Sequence, residues 1–186
     1  MNRFAFEEAP LSGLRIIKRQ PLKDDRGFFE RVFCKDSYSA FSQKPIKQIN
    51  HTLTHDKGSI RGLHYQLPPF AETKIVSCLR GEVWDIAVDL RTNSPTFLQH
   101  HSVILSENNF TSFLIPEGFA HGFQTLCSDC ELIYLHTEEF KNDAERGLNA
   151  LDPTLAIEWP EEITNRSSKD ENYALLASDF TGVSFP

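Results

Sequence analysis

The chain has 186 residues and a formal net charge of -7, with 40% hydrophobic residues and 15 phenylalanines against a single methionine. That length suits one domain, expected over 1–186, burying roughly two-thirds of the surface its unfolded form exposes. The charge excludes a general nucleic-acid binder, which needs a basic face, and no apolar run approaches the roughly 20 residues of a membrane span.

The amino terminus, Met1-Asn-Arg-Phe-Ala-Phe-Glu-Glu8, lacks the apolar core of a signal peptide, so a cytoplasmic protein is expected. Its cysteines, Cys34, Cys78, Cys127 and Cys130, are then expected as free thiols. Cys127-Ser-Asp-Cys130 reads as a turn with two half-buried thiols, because a zinc site of this spacing needs a second pair. Short runs at 14–20, 26–34, 46–53, 59–66 and 73–80, separated by Gly, Pro, Asn and Asp, predict strands. Between 82 and 90 the alternation is almost perfect. It sets Trp84, Ile86, Val88 and Leu90 on one face and Val83, Asp85, Ala87 and Asp89 on the other. Further strands are predicted at 101–105, 111–115, 122–127 and 131–137. Helical signals are confined to turns at 34–41 and 105–109 and a short helix from Ser168 to Leu176. None can cross over between parallel strands, so the expected fold is all-β, an antiparallel jelly-roll sandwich or barrel with a few short helices.

Four polar residues interrupt these apolar strands: His64, Lys74, His121 and Tyr134. A buried ionisable group costs several kcal/mol unless paired, so such a set drawn from separate strands points to one shared site. Strand parity groups Gly62 with His64 and Gln66, Lys74 with Val76 and Cys78, and Leu132 with Tyr134 and His136. A histidine base, a lysine beside a developing oxyanion and a tyrosine acid suit proton abstraction next to a carbonyl. Arg26, Arg31, Lys57, Arg61, Lys74 and Lys169 are available to hold a small anionic ligand. His136 and the His100-His101 pair read as surface or packing residues.

The segments Asp25-Arg-Gly-Phe-Phe29, Gln48-Ile-Asn50, Lys57–Gln66, Thr73-Lys-Ile-Val76, Arg80–Arg91, Ser94-Pro-Thr96, Ile115–Phe123, Glu158-Trp-Pro160 and Ser168-Lys-Asp170 occur in order over about residues 14–175. In this the chain resembles the dTDP-4-dehydrorhamnose 3,5-epimerases. The resemblance implies a homodimeric jelly roll of the cupin type, needing no metal or other cofactor. It acts on a nucleotide-diphosphate sugar, a 4-keto-6-deoxyhexose, and supplies a deoxysugar for a cell-surface polysaccharide or a glycosylated product. It also implies the catalytic roles: His64 removes a proton, Asp170 orients and charges His64, Lys74 steadies the enolate, and Tyr134 returns a proton to the opposite face. Arg26, Gln48, Asn50, Arg61, His121, Glu145 and Lys169 fall where the family holds the sugar and its nucleotide diphosphate, and Phe140 falls at a substrate-binding aromatic position.

The chain departs from the family at Glu30-Arg31, where an apolar residue followed by Glu is usual, at Phe140, usually Tyr, and in an extra residue within His55-Asp-Lys-Gly58. The first two changes remove polar contacts a thymine could use, so dTDP-, CDP- and GDP-linked sugars stay open, and the third shifts the setting of Gln48 and Asn50. Inversion at carbon 3 or carbon 5 alone also stays open, because members of such families do either with the same acid and base. Two other classes fit parts of the pattern. Gly58, His64, Glu72 and Gly81, with Pro116-Glu-Gly118 and His121, follow the spacing of cupin metal motifs, giving a site of His64, Glu72 and His121. Gln66 stands there in place of a second histidine and is a poor ligand. A sugar-nucleotide binder without catalysis is the other reading.

Overall fold

The structure, a computed structural model, describes residues 3–185; residues 1, 2 and 186 of the expected single domain lie outside it. One sheet has six strands in the spatial order β1 (Phe4–Glu8), β2 (Arg15–Arg19), β10 (Thr111–Ile115), β7 (Lys74–Arg80), β12 (Cys130–His136) and β5 (Gln48–Thr54). The facing sheet runs β13 (Glu145–Gly147), β6 (Ile60–Gln66), β11 (Phe119–Thr125), β8 (Glu82–Asp89) and β9 (His100–Ser106). Pairings within both are antiparallel, which is the expected jelly roll. A small hairpin of β3 (Leu22–Asp24) and β4 (Gly27–Phe29) stands outside the two sheets.

Both faces of β8 are buried, the inner one carrying Asp85 and Asp89 between its apolar residues. Val83 and Ala87 point inward and pack with Val76, Leu132, Phe113 and Phe123 between the sheets. Trp84, Ile86, Val88 and Leu90 point outward, under Leu155, Trp159, Phe180 and Val183 of the carboxy-terminal segment. On the back of the six-stranded sheet, Ile17, Ile75 and Leu135 lie under Phe4, Phe33, Tyr38 and Phe41. Fully burying a side chain such as Phe113 or Phe123 contributes about 2–3 kcal/mol. Among the described residues, no helix is long and apolar enough to cross a membrane.

Several boundaries differ from those expected. Strands β1 and β13 were not legible, and the 26–34 run shrinks to β4. The strand expected at 122–127 starts at Phe119 and stops at Thr125. No helix forms at 105–109. Instead β9 continues to Ser106, and the Asn109 side chain bonds the Ser106 and Thr111 N–H groups and the Ile104 carbonyl, satisfying the backbone without a helix. The amino-side turn is helix α1 (Lys35–Tyr38). The carboxy-side helix α2 spans only Ser168–Glu171, where Asn172 closes it and Tyr173 turns away to pack on Gly147. Cys130 is buried and Cys127 half-buried, with sulfurs 3.5 Å apart as free thiols.

Candidate active site

A cleft of about 290 Å³ opens between the sheets and receives side chains from both. From the five-stranded sheet come Arg61 and His64 of β6, His121 of β11 and Glu145 of β13; from the six-stranded sheet come Asn50 of β5, Lys74 of β7, and Tyr134 and His136 of β12. Helix α2 adds Lys169 and Asp170.

Strict alternation places Arg61 and His64, three residues apart, on opposite faces, yet both line this cleft. The register between β6 and β11 shifts between His121 and Phe123, and the extra residue reverses parity. Glycines permit the shift. A Cβ on Gly62, whose φ is +119°, would lie 2.6 Å from the Gly122 Cα.

Across the mouth, His64 Nε2 donates to Asp170 Oδ1 at 2.6 Å. Ser167 sets that carboxylate by capping α2, its Oγ accepting the Asp170 N–H at 3.1 Å. Burial alone would raise the Asp170 pKa; the bond from His64, with those from Gly62 N–H and Ser167, outweighs it and holds the carboxyl below its usual range. With Nε2 engaged, His64 keeps Nδ1 for a reacting proton. Lys74, 8% exposed, donates to the His64 carbonyl at 3.2 Å and lies 3.3 Å from Glu72. Opposite His64, Tyr134 is 9% exposed, and burial pushes its phenol upward, so it enters a reaction carrying its proton. The His121 ring meets the Tyr134 ring edge-on at 6.1 Å. Its Nε2 bonds both oxygens of Asp85 at 2.9 and 3.0 Å; full burial raises the Asp85 pKa despite His121 and Lys74.

Eight of the other expected positions divide by location. Arg61, His121, Phe140, Glu145, Lys169 and Asn50 line the cleft, with Lys169 paired to Glu145. Gln48 does not reach it. Its amide instead accepts the Phe140 N–H at 2.9 Å and donates to Asn50 at 3.1 Å. Arg26 lies outside this cleft, on the exposed β3–β4 hairpin, with a side chain 90% exposed and bonded to Asp24. Arg26 therefore does not line the cleft of its own chain: a two-residue turn beyond the sheets holds it away.

Sequence reasoning gave His136 and Asp85 no role, and named Glu72 only as a candidate metal ligand. His136 is not on the surface but buried in the cleft wall, with Nδ1 2.8 Å from Glu72. Its parity with Tyr134 was the available signal. The three residues of the metal reading take separate partners: His64 binds Asp170, His121 binds Asp85, and Glu72 binds His136 and Lys74. Among the described residues, no three His, Cys, Asp or Glu side chains group as a metal site. Gln66 bonds the backbone at Phe70, Glu139 and Lys141.

The family model for dTDP-4-dehydrorhamnose 3,5-epimerase matches residues 8–178. The chain belongs to that family. It is 36% identical over 178 residues to the dTDP-4-dehydrorhamnose 3,5-epimerase of Sinorhizobium fredii, covering 95% of this chain and 91% of that one. With the Shigella flexneri enzyme of the same name it shares 42% identity over 159 residues, 84% and 87% of the two chains. Its backbone is similar to the crystal structure of the 3,5-epimerase of Legionella pneumophila in complex with dTDP-4-keto-L-rhamnose, with a TM-score of 0.91, 37% identity and coverage of 98% and 99%. A 3'-monoepimerase of Streptomyces bikiniensis in complex with dTDP-quinovose is similar at a TM-score of 0.84 and 30% identity, over 90% and 85% of the chains. The protein is thus an isomerase of the epimerase type.

Proposed function

We propose that this epimerase inverts carbons 3 and 5 of a dTDP-linked 4-keto-6-deoxyhexose. One observation carries the reading: His64, paired with Asp170 of α2, and Tyr134 come from opposing sheets and face one cleft. Inversion needs that division, because a group that removes and returns a proton on one side restores the starting centre. The keto group acidifies the ring protons beside it. His64 Nδ1 takes one, and the Asp170 carboxylate stabilises the imidazolium that results. An ammonium has three N–H donors; those of Lys74 serve the His64 carbonyl and Glu72, leaving one for the enolate oxygen. Tyr134 delivers its proton from the other face. Arg61 and Lys169 supply positive charge for the diphosphate.

The same reading takes the chain as one domain, cytoplasmic in keeping with its four free thiols, and supplying a cell-surface polysaccharide. It also takes the protein as a homodimer. The β3–β4 hairpin exposes Phe28 and Phe29 as well as Arg26, which suits its docking on a second copy, where Arg26 would reach a substrate diphosphate. Proton NMR in deuterium oxide with dTDP-4-keto-6-deoxyglucose tests the activity. Loss of the signals at carbons 3 and 5 with an L-configured product is expected. Loss at one carbon would make this a single-site epimerase, and unlabelled substrate would overturn the reading.

A further inference from the structure

One chain of hydrogen bonds runs along the cleft wall and ends on Lys74, and its direction is fixed from the far end. The backbone N–H of Phe140 can only donate, so the Gln48 oxygen faces it and the Gln48 amide nitrogen donates to Asn50 Oδ1. Asn50 must then present its own NH₂ to His136 Nε2, at 3.4 Å. This places the His136 proton on Nδ1, which donates to Glu72 Oε2 at 2.8 Å. The other oxygen, Oε1, lies 3.3 Å from the Lys74 ammonium. Cross-strand register builds the row, since His136 of β12 stands opposite Gln48 of β5 and Lys74 of β7. The His136 ring is also stacked on Tyr134 at 6.0 Å.

Asp170, Asp85 and Glu145 are bonded to His64, His121 and Lys169, so Glu72 is the carboxylate in direct competition for Lys74. Burial alone would raise its pKa, but Lys74 and His136 bring it below the usual range, so it stays ionised. An unshared Glu72 carboxylate would turn both oxygens onto the ammonium and draw it from the substrate.

We infer that His136 is a positioning residue that occupies one oxygen of Glu72, so that Lys74 keeps an N–H and enough charge for the substrate oxyanion. The inference rests on the epimerase reading. It differs from a packing role because the damage from losing His136 should be undone by removing the Glu72 charge.

His136→Leu should lower kcat about tenfold, the worth of one charge-assisted hydrogen bond, with KM changed less than twofold. His136→Asn, which retains a donor near Nδ1, should recover most of the loss, as should Glu72→Gln added to His136→Leu. Unchanged kcat in His136→Leu, or a loss that Glu72→Gln does not relieve, would overturn the inference; the second result would mean lost stacking on Tyr134. Nitrogen-15 NMR of the imidazoles separates this from the activity itself. The unaltered protein should show His136 protonated at Nδ1 and bare at Nε2. The reverse tautomer would overturn the inference even in an active enzyme, whereas the expected tautomer in a protein that exchanges no substrate proton would leave the bond order standing and remove the epimerase reading.

Discussion

Replacing Asp170 by Asn keeps the side chain's shape and removes its charge. The carboxylate is 3% exposed, its partner His64 31% exposed, and the bond between them is 2.6 Å. An amide fits poorly in either orientation. With its oxygen toward the Gly62 N–H, 3.4 Å away in the parent, its NH₂ faces His64 Nε2 and forces the proton onto Nδ1, the atom that must accept one. With its oxygen toward His64, the NH₂ opposes the Gly62 N–H and the imidazolium has lost its counter-charge. A hydrogen bond to a charged group contributes about 2–3 kcal/mol, so proton removal should slow roughly 30- to 150-fold. The Ser167 cap bonds the backbone of residue 170 and should hold α2 in place. The assay is the initial rate of deuterium uptake into substrate, measured beside thermal unfolding. A folded Asp170→Asn protein exchanging within twofold of the parent would refute the role assigned to this pair.

Asp89 should contribute acid-sensitive stability. Burial alone would raise its pKa, but bonds from Arg91, Ser94 and Thr96 bring it to about 2 from 3.8. A depressed carboxyl stabilises the fold above its unfolded value and loses that contribution as pH falls from about 4 through 2; the shift corresponds to about 2 kcal/mol. Urea unfolding of Asp89→Asn should show about that deficit at pH 7 and little at pH 2, and equal deficits at both would contradict the assignment. Gly147→Ala places a Cβ 2.1 Å from the Tyr173 ring, which packs edge-on near His64 at 6.1 Å. A loss of about 1–3 kcal/mol in urea is expected, and an unchanged midpoint would show that Tyr173 yields freely.

The division of β8 into inner and outer faces was legible because alternation survives even where both faces are covered: Val83 and Ala87 entered one cluster, Ile86 and Val88 another. For the same reason His64, Lys74 and Tyr134 could be brought to one cleft by parity. Arg61 could not, because the shift at Gly62 and Gly122 reverses parity between it and His64. Strand β13 has three residues and no alternation, and it forms by adding to the edge of β6. The connection between His136 and Glu72 spans 64 positions, so no local pattern reports it. Arg26 carried a family position without its setting, which the exposed hairpin supplies.

The division of labour between the facing sheets is tested most directly by Tyr134→Phe in deuterium oxide, following both label and configuration at carbons 3 and 5. Without the phenol, His64 should still remove and return protons on its own face. The expected result is substrate that gains deuterium while keeping its starting configuration. Inverted product at the parent's rate would contradict it and require another acid on the Tyr134 face.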